Sequence, residues 1–90
     1  MIPKALLYTK DECPLCDQAK GILDRLAGEG LLSWQTVDIE EDPTLSSRYW
    51  DKIPVVQLDG GQLWYGKISE FRLRQALRER GSEREEKWAK

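Results

Sequence analysis

Ala5-Leu6-Leu7-Tyr8-Thr9-Lys10-Asp11-Glu12-Cys13-Pro14-Leu15-Cys16 is the stretch that decides how this chain is read. Ala5–Thr9 is a short apolar run followed by charged residues, the pattern of a buried strand, although so short a run does not by itself exclude other structure. Pro14 stands where the first residue of a helix would, a position at which its missing N–H costs nothing. From there Leu15, Ala19, Ile22, Leu23 and Leu26 fall on one helical face, and Gly28 and Gly30 supply a stop. The chain therefore opens with a strand running into a helix, with two cysteines at the junction.

Downstream, Ser33–Ile39 alternates loosely and contains Trp34, Thr36, Val37 and Ile39, which suit a second strand. A helix between two strands predicts a βαβ unit with parallel strands and a right-handed crossover. Glu40-Glu41-Asp42-Pro43 breaks that strand, and Pro43–Tyr49 is expected to form a short helix capped by Asp42. Pro54–Leu58 and Gln62–Tyr65 flank Asp59-Gly60-Gly61, the turn chemistry of a β-hairpin. Ser69 fits the N-cap of a last helix running to about Arg80, with Ile68 and Leu73 at hydrophobic-staple positions. Phe71, Leu73, Ala76 and Leu77 would be its buried face and Gly81 its end. Residues 82–90 would then be a brief terminal helix or a frayed tail. The order β-α-β-(α)-β-β-α makes residues 1–90 one α/β domain, without internal repeat or linker.

Ninety residues, 40% hydrophobic and 33% charged, suit one small folded domain. A net charge of −2 offers no electrostatic footprint for nucleic acid. That charge is uneven, −4 over residues 1–50 and +2 over residues 51–90. Two cysteines and no histidine exclude a self-contained four-ligand zinc site of the usual kind and any histidine-based triad, so no metal ligands are assigned. The opening apolar run, Ala5–Tyr8, is shorter than a signal-peptide core of about 7–15 residues or a membrane span of about 20. The expectation is a cytoplasmic monomer acting away from membranes and nucleic acid, where a cysteine pair is more readily reactive than structural.

Cys13-Pro14-Leu15-Cys16 carries the chemistry. At a helix start, the Cys13 sulfur can receive unpaired first-turn N–H groups and feel the positive end of the helix dipole. Both favour the nucleophilic thiolate. Cys16, one turn later on the same face, can attack a mixed disulfide formed at Cys13. Lys10 favours the thiolate whereas Asp11, Glu12 and Asp17 oppose it, so Cys13 is expected to be more acidic than a free thiol without reaching the extreme of redox proteins.

Leu6-Leu7-Tyr8-Thr9-Lys10-x-x-Cys13-Pro14-Leu15-Cys16 closely resembles the opening of glutaredoxins, within the thioredoxin-fold superfamily, and Ile53-Pro54-Val55-Val56 resembles that superfamily's Val-Pro segment. The resemblance spans roughly residues 4–80 and implies a thioredoxin-like fold, a four-stranded mixed sheet flanked by helices. It implies that Cys13 attacks, that Cys16 resolves, that Lys10 contacts a glutathione carboxylate, that Leu15 borders the substrate, that the Ile53 backbone pairs with substrate, and that Pro54 follows a cis bond. There are departures. Gly66-Lys67-Ile68-Ser69-Glu70 lacks the second glycine and the aspartate that hold the γ-glutamyl end of glutathione in glutaredoxins. Leu15 replaces the usual aromatic residue, and Glu12 should repel an anionic tripeptide. These count against glutathione as co-substrate, and no bound cofactor is expected. The pattern is closest to short bacterial glutaredoxin-like proteins.

The expected function is therefore thiol–disulfide exchange with a disulfide-containing protein or a small thiol, the cysteines being restored by a reductant the residues do not identify. Alternatives are a redox-inactive binding module of the same fold, or a metal or iron–sulfur carrier sharing cysteine ligands between chains. Tyr49 and Trp50 read as core aromatics ahead of lining a groove beside the sulfurs with apolar contact for a partner, Arg72, Arg74, Arg78, Arg80 and Arg84 as a solvated helix face ahead of an anion site, and Asp59-Gly60-Gly61 as a turn without phosphate-binding chemistry.

Overall fold

Strand β1 (Lys4–Thr9) pairs in parallel with β2 (Ser33–Asp38) and antiparallel with β3 (Val55–Leu58), which pairs antiparallel with β4 (Leu63–Tyr65). The sheet is mixed, in the order β2-β1-β3-β4. The computed structural model describes residues 2–59 and 61–89, with side chains as far as Glu79. Three helices complete the fold: α1 (Pro14–Gly28), α2 (Pro43–Tyr49) and α3 (Glu70–Ala89), and a 3₁₀ turn over Ile39–Glu41 leads from β2 into α2. The thioredoxin-like, four-stranded α/β architecture is the one expected.

Alternation along β1 sends Ala5, Leu7 and Thr9 to one face and Leu6 and Tyr8 to the other. On the first face Ala5, Leu7, Val56 and Leu58 meet Ala19, Leu23 and Leu26 of α1 and Leu73 and Leu77 of α3. On the second, α2 and the 3₁₀ turn bring Tyr49 and Ile39 to Val55, with Tyr8, Leu45, Ile53 and Leu63 packed around them. Each fully buried leucine contributes about 1.5–3 kcal/mol relative to exposure.

The helix ends follow local chemistry. Asp42 Oδ1 accepts from the Thr44 amide at 2.9 Å and Ser69 Oγ from the Arg72 amide at 3.2 Å, so both expected caps are present. After α1 the chain turns through Gly30 at φ +77, a left-handed conformation suited to glycine.

Several expectations are corrected. The last helix does not stop at Gly81 but continues to Ala89. An isolated glycine costs a helix only about 1 kcal/mol, and the residues beyond it are mostly good helix formers. Phe71 is 75% exposed and does not join the buried face. It lies two residues from buried Leu73, and positions so spaced point to nearly opposite sides of a helix. Leu15, placed on the apolar face of the first helix, is 39% exposed. Arg74 is not part of a solvated row. Its guanidinium donates to both carboxylate oxygens of Glu29 and, through Nε at 2.9 Å, to Glu70, which Arg25 also approaches at 3.2 Å. This cluster ties the end of α1 to the start of α3. The side chains of Arg80 and Arg84 lie outside the described residues.

Two measurements probe this packing. Leu23→Ala should lower unfolding free energy in urea by about 2–5 kcal/mol, whereas Leu15→Ala should change it by no more than about 0.5 kcal/mol. The hydrogen bonds from Arg74 hold the Glu29 carboxyl below its usual range, against a smaller opposing effect of burial. A carboxyl depressed in the folded state stabilises fully above its unfolded pKa and loses that contribution as pH falls through the folded value. Melting temperature should therefore fall between about pH 5 and pH 2, and less steeply in Arg74→Met.

Candidate functional site

The site is built where β1 ends and α1 begins. Beyond Lys10 the chain turns through Glu12, a non-glycine residue at φ +57, and enters Cys13 in an extended conformation, φ −122 and ψ 98. Cys13 is the N-cap of α1 and Pro14 follows at the helix start. In place of a capping oxygen, Cys13 Sγ accepts the Cys16 amide at 3.2 Å. The Asp17 amide meets the Cys13 carbonyl at 3.1 Å. Cys13 and Cys16 are joined as a disulfide, their Cα atoms 5.1 Å apart. The two sulfur-bearing residues differ in access: Cys13 is half-buried and Cys16 is 1% exposed.

A second wall comes from the segment between α2 and β3. The Ile53–Pro54 peptide bond is cis. Val55 stands opposite Tyr8, so this bond lies at the sheet end where β1 runs into the cysteine loop. Pro54 is buried and Ile53 half-buried against Tyr49. The Gly66 amide, just past β4, donates to both the Lys52 carbonyl at 3.0 Å and the Pro54 carbonyl at 2.9 Å. Gly66 does so at φ +67, which a side chain would oppose. The Ile53 amide is already used: it donates to the Tyr49 carbonyl at 3.2 Å, which also receives the Lys52 amide at 2.8 Å.

Of the residues singled out from the sequence, Cys13, Cys16, Lys10, Leu15, Ile53 and Pro54 all fall at this end of the sheet. Lys10 and Leu15 are exposed. The two aromatics of the Tyr49-Trp50 pair separate: Tyr49 is buried, stacked at a tilt on Tyr8 with ring centroids 4.9 Å apart, whereas Trp50 is 65% exposed. Reading both as core was wrong for Trp50, which follows the last residue of a seven-residue helix whose inward face Tyr49 already fills. The Tyr8 phenol donates to Gln57 Oε1 at 2.8 Å, and burial, reinforced by Tyr49, pushes its pKa up. It stays a neutral donor at ordinary pH. The left-handed turn at Glu12 and the bridging role of Gly66 were not anticipated. A glycine before a predicted helix was the available clue for the second, and nothing in the sequence marks the first.

A mixed four-stranded sheet with a vicinal cysteine pair at the first strand–helix junction defines a thioredoxin-fold protein with the means for redox chemistry. Residues 4–78 match the model of the glutaredoxin-like domain family (DUF836), and the chain belongs to that family. An uncharacterized protein of Mycobacterium tuberculosis is 31% identical over 77 residues, covering 80% of this chain and 79% of that one. Among solved structures, protein XcR50 of X. campestris superposes with a TM-score of 0.69 at 33% identity over 81% of this chain and 93% of its own. A variant of thioredoxin from Halobacterium salinarum gives a TM-score of 0.67 at 21% identity, covering 83% of this chain and 71% of that one, and is alike in fold. Among the described residues no helix is long and apolar enough to cross a membrane.

The difference in access has a direct readout. After full reduction, a brief pulse of iodoacetamide at neutral pH should label Cys13 well before Cys16, as located by peptide mass spectrometry. Labelling of Cys16 first would reverse the roles of the two sulfurs.

Proposed function

We propose that this protein is a thiol–disulfide oxidoreductase in which Cys13 is the nucleophile and Cys16 the resolving thiol. The observation that carries this reading is the Cys16 amide aimed at Cys13 Sγ at 3.2 Å. A hydrogen bond to an ionised acceptor is roughly twice as strong as one between neutral groups, so this amide stabilises negative charge on that sulfur. Pro14 at the helix start leaves no competing N–H beside it.

The Cys13 thiolate attacks one sulfur of a substrate disulfide. A Cys13–substrate disulfide forms, the substrate's own S–S bond breaks, and the departing sulfur leaves as a thiolate that takes a proton from water. Cys16 then loses its proton and attacks Cys13 Sγ. The Cys13–Cys16 bond forms and the second substrate sulfur is released as a thiol. The substrate gains two electrons and the protein loses two. A thiol reductant in a reducing compartment such as the cytoplasm would restore the pair. Burial of Cys16 suits it to intramolecular attack, since a thiol hidden from solvent competes poorly for outside disulfides. Leu15 and Ile53 would border the approach to Cys13, and Lys10 is the nearest cation in sequence. Substrate pairing along Ile53 would use its carbonyl, because its amide is committed to Tyr49.

Reduction of a neutral model disulfide tests the proposal. The wild-type protein with dithiothreitol as the recycling thiol should accelerate it, and Cys13→Ser should return the rate to the dithiothreitol background. Cys16→Ser should retain the first attack and accumulate a mixed disulfide visible by intact mass. Equal rates for wild type and Cys13→Ser would leave a binding module of this fold as the better account.

A further inference from the structure

We infer that the disulfide this site takes is carried on a cationic protein segment, and that the anionic tripeptide glutathione is disfavoured. This inference rests on the redox reading above and adds to it the chemistry of the partner.

The end of the sheet that carries Cys13 exposes two large apolar side chains and a surplus of acidic ones. Leu15, between the cysteines, is 39% exposed, and Trp50, at the end of α2, is 65% exposed. Exposed apolar area at this end of the sheet suits a polypeptide better than a small hydrophilic thiol. β1 and β2 are parallel, and Asp38 stands opposite Thr9. The acidic run from Asp38 to Asp42 thus leaves the sheet at the same end as the loop carrying Asp11, Glu12 and Cys13. Asp38 and Asp42 each accept a backbone amide at 2.9 Å. Asp11, Glu12, Glu40 and Glu41 are exposed, and among the described residues none is paired with a cation.

The cations at this end do not balance them. Lys20 and Lys52 approach Asp17 and Asp51, at 4.0 and 3.3 Å, and Arg48 lies over the Tyr49 ring, 6.0 Å from its centroid. Lys10 and Lys67 remain. The surplus is negative, and it sits where an incoming disulfide must approach. Charges of one sign around a cleft change encounter rates by roughly 10–10³-fold, an effect that salt screens. The committed Ile53 amide points the same way. With one backbone donor unavailable, side-chain charge has the larger share in choosing the partner.

The test uses single turnovers of the fully reduced protein with three symmetrical disulfides of short cysteine peptides, flanked by lysine, by serine or by glutamate. At low ionic strength the lysine peptide should be reduced about tenfold faster than the serine peptide and the glutamate peptide about tenfold slower. The spread should collapse at high salt. A Glu40→Lys, Glu41→Lys double variant should narrow it while leaving the serine-peptide rate unchanged, which also reports that the variant is folded. Reduction of all three peptides at one rate would overturn the inference and leave the oxidoreductase reading standing. So would a preference that survives high salt, or one indifferent to the double variant. Failure to reduce even the serine peptide would overturn the oxidoreductase reading itself.

Discussion

Ala19, Leu23 and Leu26 press α1 onto Ala5 and Leu7 of β1, and that contact decides where the Cys16 amide points. A helix rises about 1.5 Å per residue and is stiff over this length, so fixing its middle fixes its first turn. In that first turn the Cys16 amide meets the sulfur of the residue that caps the helix. In the disulfide this is a weak hydrogen bond to a neutral atom. In the proposed reaction the same donor would face a developing charge and strengthen with its backbone already in position. In that reaction the core would act by holding a dipole still, which is the sense in which a small domain can be preorganised.

The second wall obeys the same logic by different means. Pro54 brings no amide, and its carbonyl, with that of Lys52, is held by the Gly66 amide. One glycine in a left-handed conformation therefore fastens the start of β3 to the end of β4. Tyr49 holds the other side, giving its carbonyl to Lys52 and Ile53 and its ring to the cluster with Ile39 and Val55. Helix α2 is only seven residues long, and these contacts are what make so short an element sufficient to position the cis bond.

Most of this architecture was legible in the sequence because each element carried its own local signature. Pro14, Asp42 and Ser69 announce helix starts through capping chemistry that needs no tertiary contact. The cysteine pair could be placed because a strand and a helix meet at it. What escaped depends on rotation or on partners distant in the chain. Phe71 and Leu73 are equally apolar, and only docking of α3 on the sheet decides which is buried. Arg74 looks like its neighbours Arg72 and Arg78 until Glu29, 45 residues away, is brought beside it. Gly81 resembles a stop in the sequence, although a single glycine among strong helix formers is a small penalty. Trp50 illustrates the limit most clearly: size and hydrophobicity argued for burial, but Tyr49 had already taken the inward position.

Exposure of Trp50 changes what the rest of the site means. A domain of this size gains stability from every aromatic it can bury, and leaving one in water forgoes that gain. At the same end of the sheet the chain also keeps acidic groups together, Glu12 beside Cys13 and Glu40 and Glu41 just past the neighbouring strand, where their mutual repulsion acts against the protein in isolation. Neither feature helps folding. Both become favourable on association with a surface that is itself apolar and positively charged, since desolvation of the ring and pairing of the carboxylates then occur together. Costs borne by the free domain and relieved in a complex are what distinguish a surface shaped for a partner from one shaped by solubility alone.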